Sequence, residues 1–127
     1  YCLAGGNQSD EDLALAKRIR ESSKDFNSFI LNVLDHEILA VETPFQPQYW
    51  YIFDRKEQLM VDALLRYESL EEDWAQLASK LSLPQDLPWV NMSEGKGMSS
   101  TQLSREAIDK VVELYRKDFI LLGYELP

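Results

Sequence analysis

Regularly spaced apolar residues constrain the fold of this chain more than any other sequence feature. Beginning at Phe26, apolar residues recur at i+3, i+4, i+7 and i+8, the spacing that places them on one face of an α-helix. Ser23 stands where an N-cap residue is expected. The stripe consists of Phe26, Phe29, Ile30, Val33 and Leu34. A shorter helix, from Asp10 or Asp12 to about Arg20, precedes it, with acidic residues at its start and basic residues at its end.

Two further stripes predict helices in the second half of the chain. Ser69 and Glu72 form the pattern of a capping box ahead of an apolar stripe that runs to about Lys80. Ser104 precedes the last stripe, and Gly123 stands where a glycine commonly terminates a helix. The segment between them, 84–103, is rich in proline, glycine and serine and is predicted to be irregular.

One short β-pair is predicted between the helices. Residues 49–53 (YWYIF) are aromatic or branched and follow the two prolines of 43–48, which favours a strand. A polar turn at 54–57 leads into 59–67, for which a strand is preferred and a helix stays an alternative. The fold class expected from the residues alone is therefore mainly α with a short β-pair.

Size and charge exclude several classes of protein. The 127 residues, of 14.7 kDa, suit one domain spanning 1–127, and no apolar run approaches the ~18–20 residues that cross a bilayer. Thirteen Lys and Arg against 22 Asp and Glu give a net charge of −9. A nucleic-acid partner is not expected, because phosphate contacts need clustered basic residues.

Metal and nucleophile chemistry have little support in the sequence. Cys2 and His36 are the only residues of their types, so a Cys/His zinc site within one chain is excluded. A Cys–His nucleophile pair lacks supporting context, and His36 is interpreted as a polar residue at a helix end. The acidic residues of 68–73 fall in the first turn of a capped helix, where they stabilise its dipole.

Two segments are candidates for ligand binding. The loop 91–100 (NMSEGKGMSS) has glycines on either side of Lys96, which would expose backbone N–H groups and an ammonium to an anion, although the Walker spacing is absent. A solvated surface loop is the alternative. The aromatic residues of 49–53, with Trp89, could stack on a sugar or a base, while packing in the core explains them as well.

The order of these segments resembles the C-terminal half of the sulfotransferases that use 3′-phosphoadenylylsulfate (PAPS), and most closely the carbohydrate type that acts on chondroitin and heparan. The most specific match is 61–74 (VDALLRYESLEEDW), which is similar to the family pattern V-D-x-[IV]-x-R-[FY]-E-x-L-x-x-D. Residues 45–49 (FQPQY) resemble H-[FW]-R-P-Q, except that Pro44 and Gln46 replace its His and Arg. The other matching segments are 1–10, 26–30, 87–93 and 115–124.

The resemblance implies sulfuryl transfer from PAPS to a hydroxyl, commonly on a carbohydrate, by a P-loop-like α/β fold of which this chain would be the C-terminal portion. It also implies that Asn91, Ser93 and Lys96 lie in a loop that closes over the nucleotide. The family's phosphate-binding loop and its Arg/Ser motif for the 3′-phosphate are not found in the sequence. We therefore expect an N-terminal nucleotide-binding half to be missing, no tight binding of PAPS or its product PAP, and no activity of this chain alone. No catalytic residue is predicted, and Glu68 and Asp73 are interpreted as structural.

A second hypothesis from a different class is a non-enzymatic, sulfotransferase-derived helical module. It would bind a partner, or a second copy of itself, through the surface that the missing half would cover. The family has cytoplasmic bacterial members and Golgi-membrane eukaryotic members, and a cytoplasmic location is the expectation here.

Overall fold

The computed structural model describes residues 10–88 and 102–127, and in these ranges the chain is mainly helical. The described residues divide into two compact units, one formed by 10–51 with 102–127 and the other by 52–88. The helices are α1 (Asp10–Ser22), α2 (Phe26–Asn32), α3 (His36–Val41), α4 (Tyr49–Ile52), α5 (Leu70–Leu81), α6 (Arg105–Leu114) and α7 (Arg116–Leu122). Two 3₁₀ turns lie at Thr43–Phe45 and Tyr67–Ser69.

The core of the first unit is the apolar stripe predicted from Phe26, together with the helix that follows it. Phe29, Ile30, Val33 and Leu34 are buried, and Ile38 and Leu39 of α3 complete the set. The methyl group of Ala107 on α6 is fully buried against them. The helical spacing therefore identified four of the five stripe residues as core, because residues three and four apart share one face of a helix, whereas Phe26 at the start of α2 is 46% exposed.

The N-cap predicted at Ser23 is wrong by two residues. Asp25 caps α2 by accepting a hydrogen bond from the backbone N–H of Ser28, and the Ser28 hydroxyl in turn accepts from the backbone N–H of Asp25. The Ser23 hydroxyl donates instead to the carbonyl of Ile19 in α1. A second cap at Asp35 starts α3, because its carboxylate accepts from the N–H of Ile38 at 2.9 Å.

The predicted β-pair is also wrong in extent. Tyr49–Ile52 form a helical turn, and the only pairing within the described residues is a single antiparallel bridge between Phe53 and Leu59. The turn between them is held by the Asp54 carboxylate, which accepts from the N–H groups of Lys56 and Gln58 at 2.8 Å each. Beyond that bridge, residues 60–66 form no strand.

The capping box predicted at Ser69 does not form. Ser69 occupies the N-cap position of α5, but its hydroxyl donates to the carboxylate of Asp73 at 3.0 Å and accepts no hydrogen bond from a backbone N–H. The helix still begins at Leu70, directly after the predicted cap, and ends at Leu81, one residue beyond the predicted end near Lys80. It terminates at Ser82 in the left-handed conformation, with φ of 56°.

The last predicted helix exists but is broken. Ser104 caps α6 by accepting from the N–H of Ala107, and Gly123 ends α7 with φ of 70°, as predicted. Between them Tyr115, with φ of −107° and ψ of 20°, separates α6 from α7. The backbone therefore departs from helical dihedral angles at Tyr115.

Within the described ranges, no helix combines the length and the apolar character that a membrane crossing requires. In the same residues, no three side chains of His, Cys, Asp or Glu are grouped so that they could hold a metal ion.

Asn27 connects α2 to the segment that enters α6, and this contact generates the first prediction. Its side-chain amide donates to the carbonyl of Gln102 at 3.1 Å, and its oxygen accepts from the N–H of Ser104 at 2.7 Å. Replacing Asn27 with alanine removes both bonds, so we expect Asn27→Ala to lower the free energy of unfolding by about 1–2 kcal/mol. Urea denaturation followed by circular dichroism measures this change.

The matched control is Asn32→Ala at the other end of the same helix. Asn32 is exposed, and its side chain makes no hydrogen bond to the described residues. We expect its replacement to change stability by less than about 0.5 kcal/mol. Equal effects of the two variants would contradict the role assigned to Asn27.

Candidate functional site

Two segments that are about seventy residues apart in sequence meet in the first unit. The Tyr115 hydroxyl donates a hydrogen bond to the carbonyl of Phe45 at 2.8 Å. One turn later, the carboxylate of Asp118 accepts from the backbone N–H of Gln48 at 2.9 Å and from that of Tyr49 at 2.8 Å. These three hydrogen bonds, which we call the Asp118 clamp, fix the segment 45–49 against the start of α7.

The Asp118 clamp explains why Tyr49–Ile52 are helical and not extended. The first N–H groups of a helix have no partner inside the helix, and a carboxylate is a good acceptor for them. A single helical turn is marginal without such support. The local aromatic composition favours a strand, but the hydrogen bonds from a distant residue decide the conformation.

Tyr115 donates within this clamp as a neutral phenol. Burial raises the pKa of its hydroxyl, and the negative charge of Asp118 raises it further. Both effects disfavour the phenolate, so the O–H group stays available to the Phe45 carbonyl across the ordinary pH range.

An open groove of about 230 Å³ lies beside the Asp118 clamp. Leu39, Pro47 and Leu114 form its apolar part. Its aromatic and charged lining consists of His36, Tyr49, Trp50, Glu113, Arg116 and Lys117. All of these residues belong to the first unit.

The aromatic side chains of the groove have a defined arrangement. The rings of Tyr49 and Trp50 meet edge to face, with their centres 6.2 Å apart. The ammonium of Lys117 lies 5.4 Å from the centre of the Tyr49 ring, within the range of a cation–π interaction. Trp50 is 44% exposed and Tyr51 is 56% exposed, so the interpretation of these two residues as core is wrong.

The structure describes only some of the other residues that the sequence suggested as functional. His36, interpreted as a helix-end histidine, is the first residue of α3 and lines the groove. Asn91, Ser93 and Lys96, the residues predicted to contact nucleotide, lie outside the described residues, as do Cys2 and Trp89. Arg116 and Lys117 were missed, because no local pattern marks them and only the Asp118 clamp brings them beside Tyr49.

Asp73 has the structural role predicted for it. Its carboxylate accepts from the backbone N–H of Arg66 at 2.9 Å and from the Ser69 hydroxyl at 3.0 Å. Those bonds, the one from Arg66 first, lower the pKa of Asp73 below 3.8. Glu71 and Glu72 are exposed, as expected for the first turn of α5.

We expect Asp118→Asn to lower the free energy of unfolding by about 1.5–3 kcal/mol, because an amide offers one acceptor oxygen, without the charge, where the carboxylate offers two. The groove should also lose its shape, since Tyr49 and Trp50 depend on the same turn. Chemical denaturation measures the first effect, and the indole N–H resonance of Trp50 in an NMR spectrum reports the second.

Asp109→Asn is the control for the Asp118 variant. Asp109 pairs with Arg105 at 3.0 Å on the exposed surface of α6, where an ion pair contributes little. We expect a change of less than about 0.5 kcal/mol and no shift of the Trp50 resonance. A loss as large as that of Asp118→Asn would show that any removed carboxylate has this effect.

The lowered pKa of Asp73 predicts a dependence of stability on pH. Because the folded pKa lies below the unfolded value of 3.8, ionised Asp73 stabilises the folded chain above that pH, and this contribution is lost as the pH falls through the folded pKa. A carboxyl ¹³C NMR titration should place the Asp73 midpoint below 3.8, and Ser69→Ala should raise it. Ser79→Ala, on an exposed position of the same helix, should leave the midpoint unchanged.

The comparisons with known proteins give one finding. The chain matches the sequence model of the sulfotransferase family over residues 6–125. No curated protein and no solved structure matches it. The family match covers nearly the whole chain, including the Asp118 clamp and the Asp73 contacts. The chain therefore belongs to the sulfotransferase family.

Proposed function

We propose that this chain takes part in the transfer of a sulfuryl group from PAPS to a hydroxyl, and that the acceptor is a carbohydrate. The observation that carries the proposal is the family match over residues 6–125. The exposed Trp50 beside a groove with two cationic side chains supports a carbohydrate acceptor, because sugar rings stack on aromatic faces.

The described residues do not by themselves fit a site for the nucleotide. PAPS carries a 3′-phosphate and a phosphosulfate, and a site for it needs several donors around each group. The groove, of about 230 Å³, is below the roughly 300–1,000 Å³ typical of sites for larger ligands. The carboxylate of Glu113 also lines it and would repel a phosphate.

Nucleotide contacts are therefore proposed elsewhere. Lys96 would supply a cation, and Asn91 and Ser93 would supply polar side chains, in a loop that closes over the nucleotide. The phosphate-binding loop and the Arg/Ser motif would come from a preceding segment that forms a P-loop-like α/β fold with this chain. PAPS, when bound, supplies the sulfuryl group and the PAP leaving group. No residue of this chain is assigned to the chemical step.

One observation favours the alternative of an interaction module. In the described part of the second unit, 52–88, Ala78 is the only buried residue. Large apolar side chains there are exposed, namely Leu59, Met60, Leu64, Tyr67, Leu70, Leu81 and Leu83. Apolar surface of this extent commonly marks a contact with another protein or another part of the same protein.

The test of the proposal is transfer of label from [³⁵S]PAPS to an unsulfated polysaccharide. The reading frame upstream of Tyr1 is sequenced first, and the complete gene product is compared with the 127-residue chain. We expect transfer by the complete product only, and no binding of PAP to the 127-residue chain at millimolar concentration in calorimetry.

Lys96→Ala in the complete product should raise the KM for PAPS at least about tenfold, the effect of removing one charge-assisted contact. Lys56→Ala, at an exposed position of the turn after α4, is the matched control and should leave the KM unchanged. Absence of transfer by the complete product, with stable association of the chain in sedimentation, would favour the interaction module. Transfer by the 127-residue chain alone would contradict the need for a second half.

A further inference from the structure

We propose that the groove between α3, α4 and the α6–α7 segment binds a ligand that consists of one ring with a single anionic group. The inference goes beyond sulfuryl transfer, because it requires neither nucleotide nor catalysis. It rests on the size of the groove, its exposed aromatic side chain and its balance of charge.

The size of the groove limits the ligand to about one ring. Its volume of about 230 Å³ is smaller than that of sites for drug-sized ligands, roughly 300–1,000 Å³. The apolar part formed by Leu39, Pro47 and Leu114 gives a ring a surface to lie against. A free inorganic anion would leave that apolar surface uncovered.

Trp50 supplies an aromatic face for the ring. Its side chain is 44% exposed although it lines the groove, and its edge-to-face contact with Tyr49 holds it in place. Tyr49 is itself fixed through the Asp118 clamp and lies beneath the ammonium of Lys117. A preorganised wall of this kind lowers the cost of ordering side chains when a ligand binds.

Arg116 supplies the contact for the anionic group. No carboxylate of the described residues lies within ion-pair distance of its guanidinium, which is exposed at the groove. A guanidinium binds carboxylates and sulfate esters through parallel N–H bonds.

The balance of charge limits the ligand to one anionic group. Arg116 and Lys117 are the cationic side chains that line the groove, Glu113 is an acidic one, and the carboxylate of Asp118 lies in the neighbouring clamp. The positive charge that can meet a ligand is therefore limited, on a protein whose net charge is −9. A second anionic group would meet Glu113 or the acidic surroundings, and the repulsion would oppose binding.

The test is an NMR titration of the 127-residue chain with matched probes at constant ionic strength. Glucose 6-sulfate and phenyl sulfate represent a sugar ring and an aromatic ring with the same anionic group. Glucose supplies the ring alone, and sodium methyl sulfate supplies the same monoanionic group without a ring. Shifts of the Trp50 indole N–H and of the Arg116 guanidinium N–H are followed, with Trp50→Phe used to assign the indole.

We expect saturable binding of at least one of the two ring sulfates, with a dissociation constant in the millimolar range, and binding at least tenfold weaker for glucose and for sodium methyl sulfate. Arg116→Gln should weaken the affinity about tenfold or more, which corresponds to the loss of one charge-assisted hydrogen bond. Trp50→Ala should weaken it as well. Whichever ring sulfate binds more tightly identifies the ring.

Arg20→Gln is the control, since it makes the same change of charge at an exposed position on α1. Tyr67→Ala, which removes an 87% exposed aromatic ring of the other unit, is the control for Trp50. Absence of saturable shifts with both ring sulfates would overturn the proposal. So would equal affinity for sodium methyl sulfate, or an equal loss of affinity in Arg20→Gln.

Discussion

The groove depends on the hydrogen bonds that the carboxylate of Asp118 accepts. This carboxylate accepts hydrogen bonds from two successive backbone N–H groups, those of Gln48 and Tyr49, which no helix could satisfy internally at this point. Because a charged acceptor binds such donors more strongly than a neutral one, it can impose a helical turn on a segment whose composition favours a strand. The position of Trp50 beside Arg116 and Lys117 follows from that turn.

The helices and the core could be predicted from the sequence because their causes are local. Phe29, Ile30 and Leu34 share a face through helical spacing alone, and all three are buried. Ser104 and Gly123 act within a few residues of their own positions, so their roles as cap and terminator were also predicted correctly. No contact across the chain is needed to infer any of these features.

The features that were missed depend on distant contacts or on competition between nearby polar groups. The helical turn at Tyr49 depends on Asp118, 69 residues away. The hydroxyl of Ser69 donates to Asp73 and accepts no backbone N–H, and one-dimensional spacing does not distinguish this contact from a capping box. The cationic part of the groove was missed because it depends on distant contacts. Arg116 and Lys117 line the groove only because residues far away in the sequence pack beside them.

The spacing of the residues in the Asp118 clamp limits where the chain can gain or lose residues. Tyr115 and Asp118 are three residues apart. Their partners have nearly the same spacing, since Gln48 lies three residues after Phe45 and Tyr49 lies four residues after it. One residue inserted between Tyr115 and Asp118 would rotate the carboxylate by about 100° around the helix axis and away from both N–H groups. An insertion is therefore compatible with the Asp118 clamp only outside the two segments, before Phe45 or after Tyr49 and before Tyr115 or after Asp118.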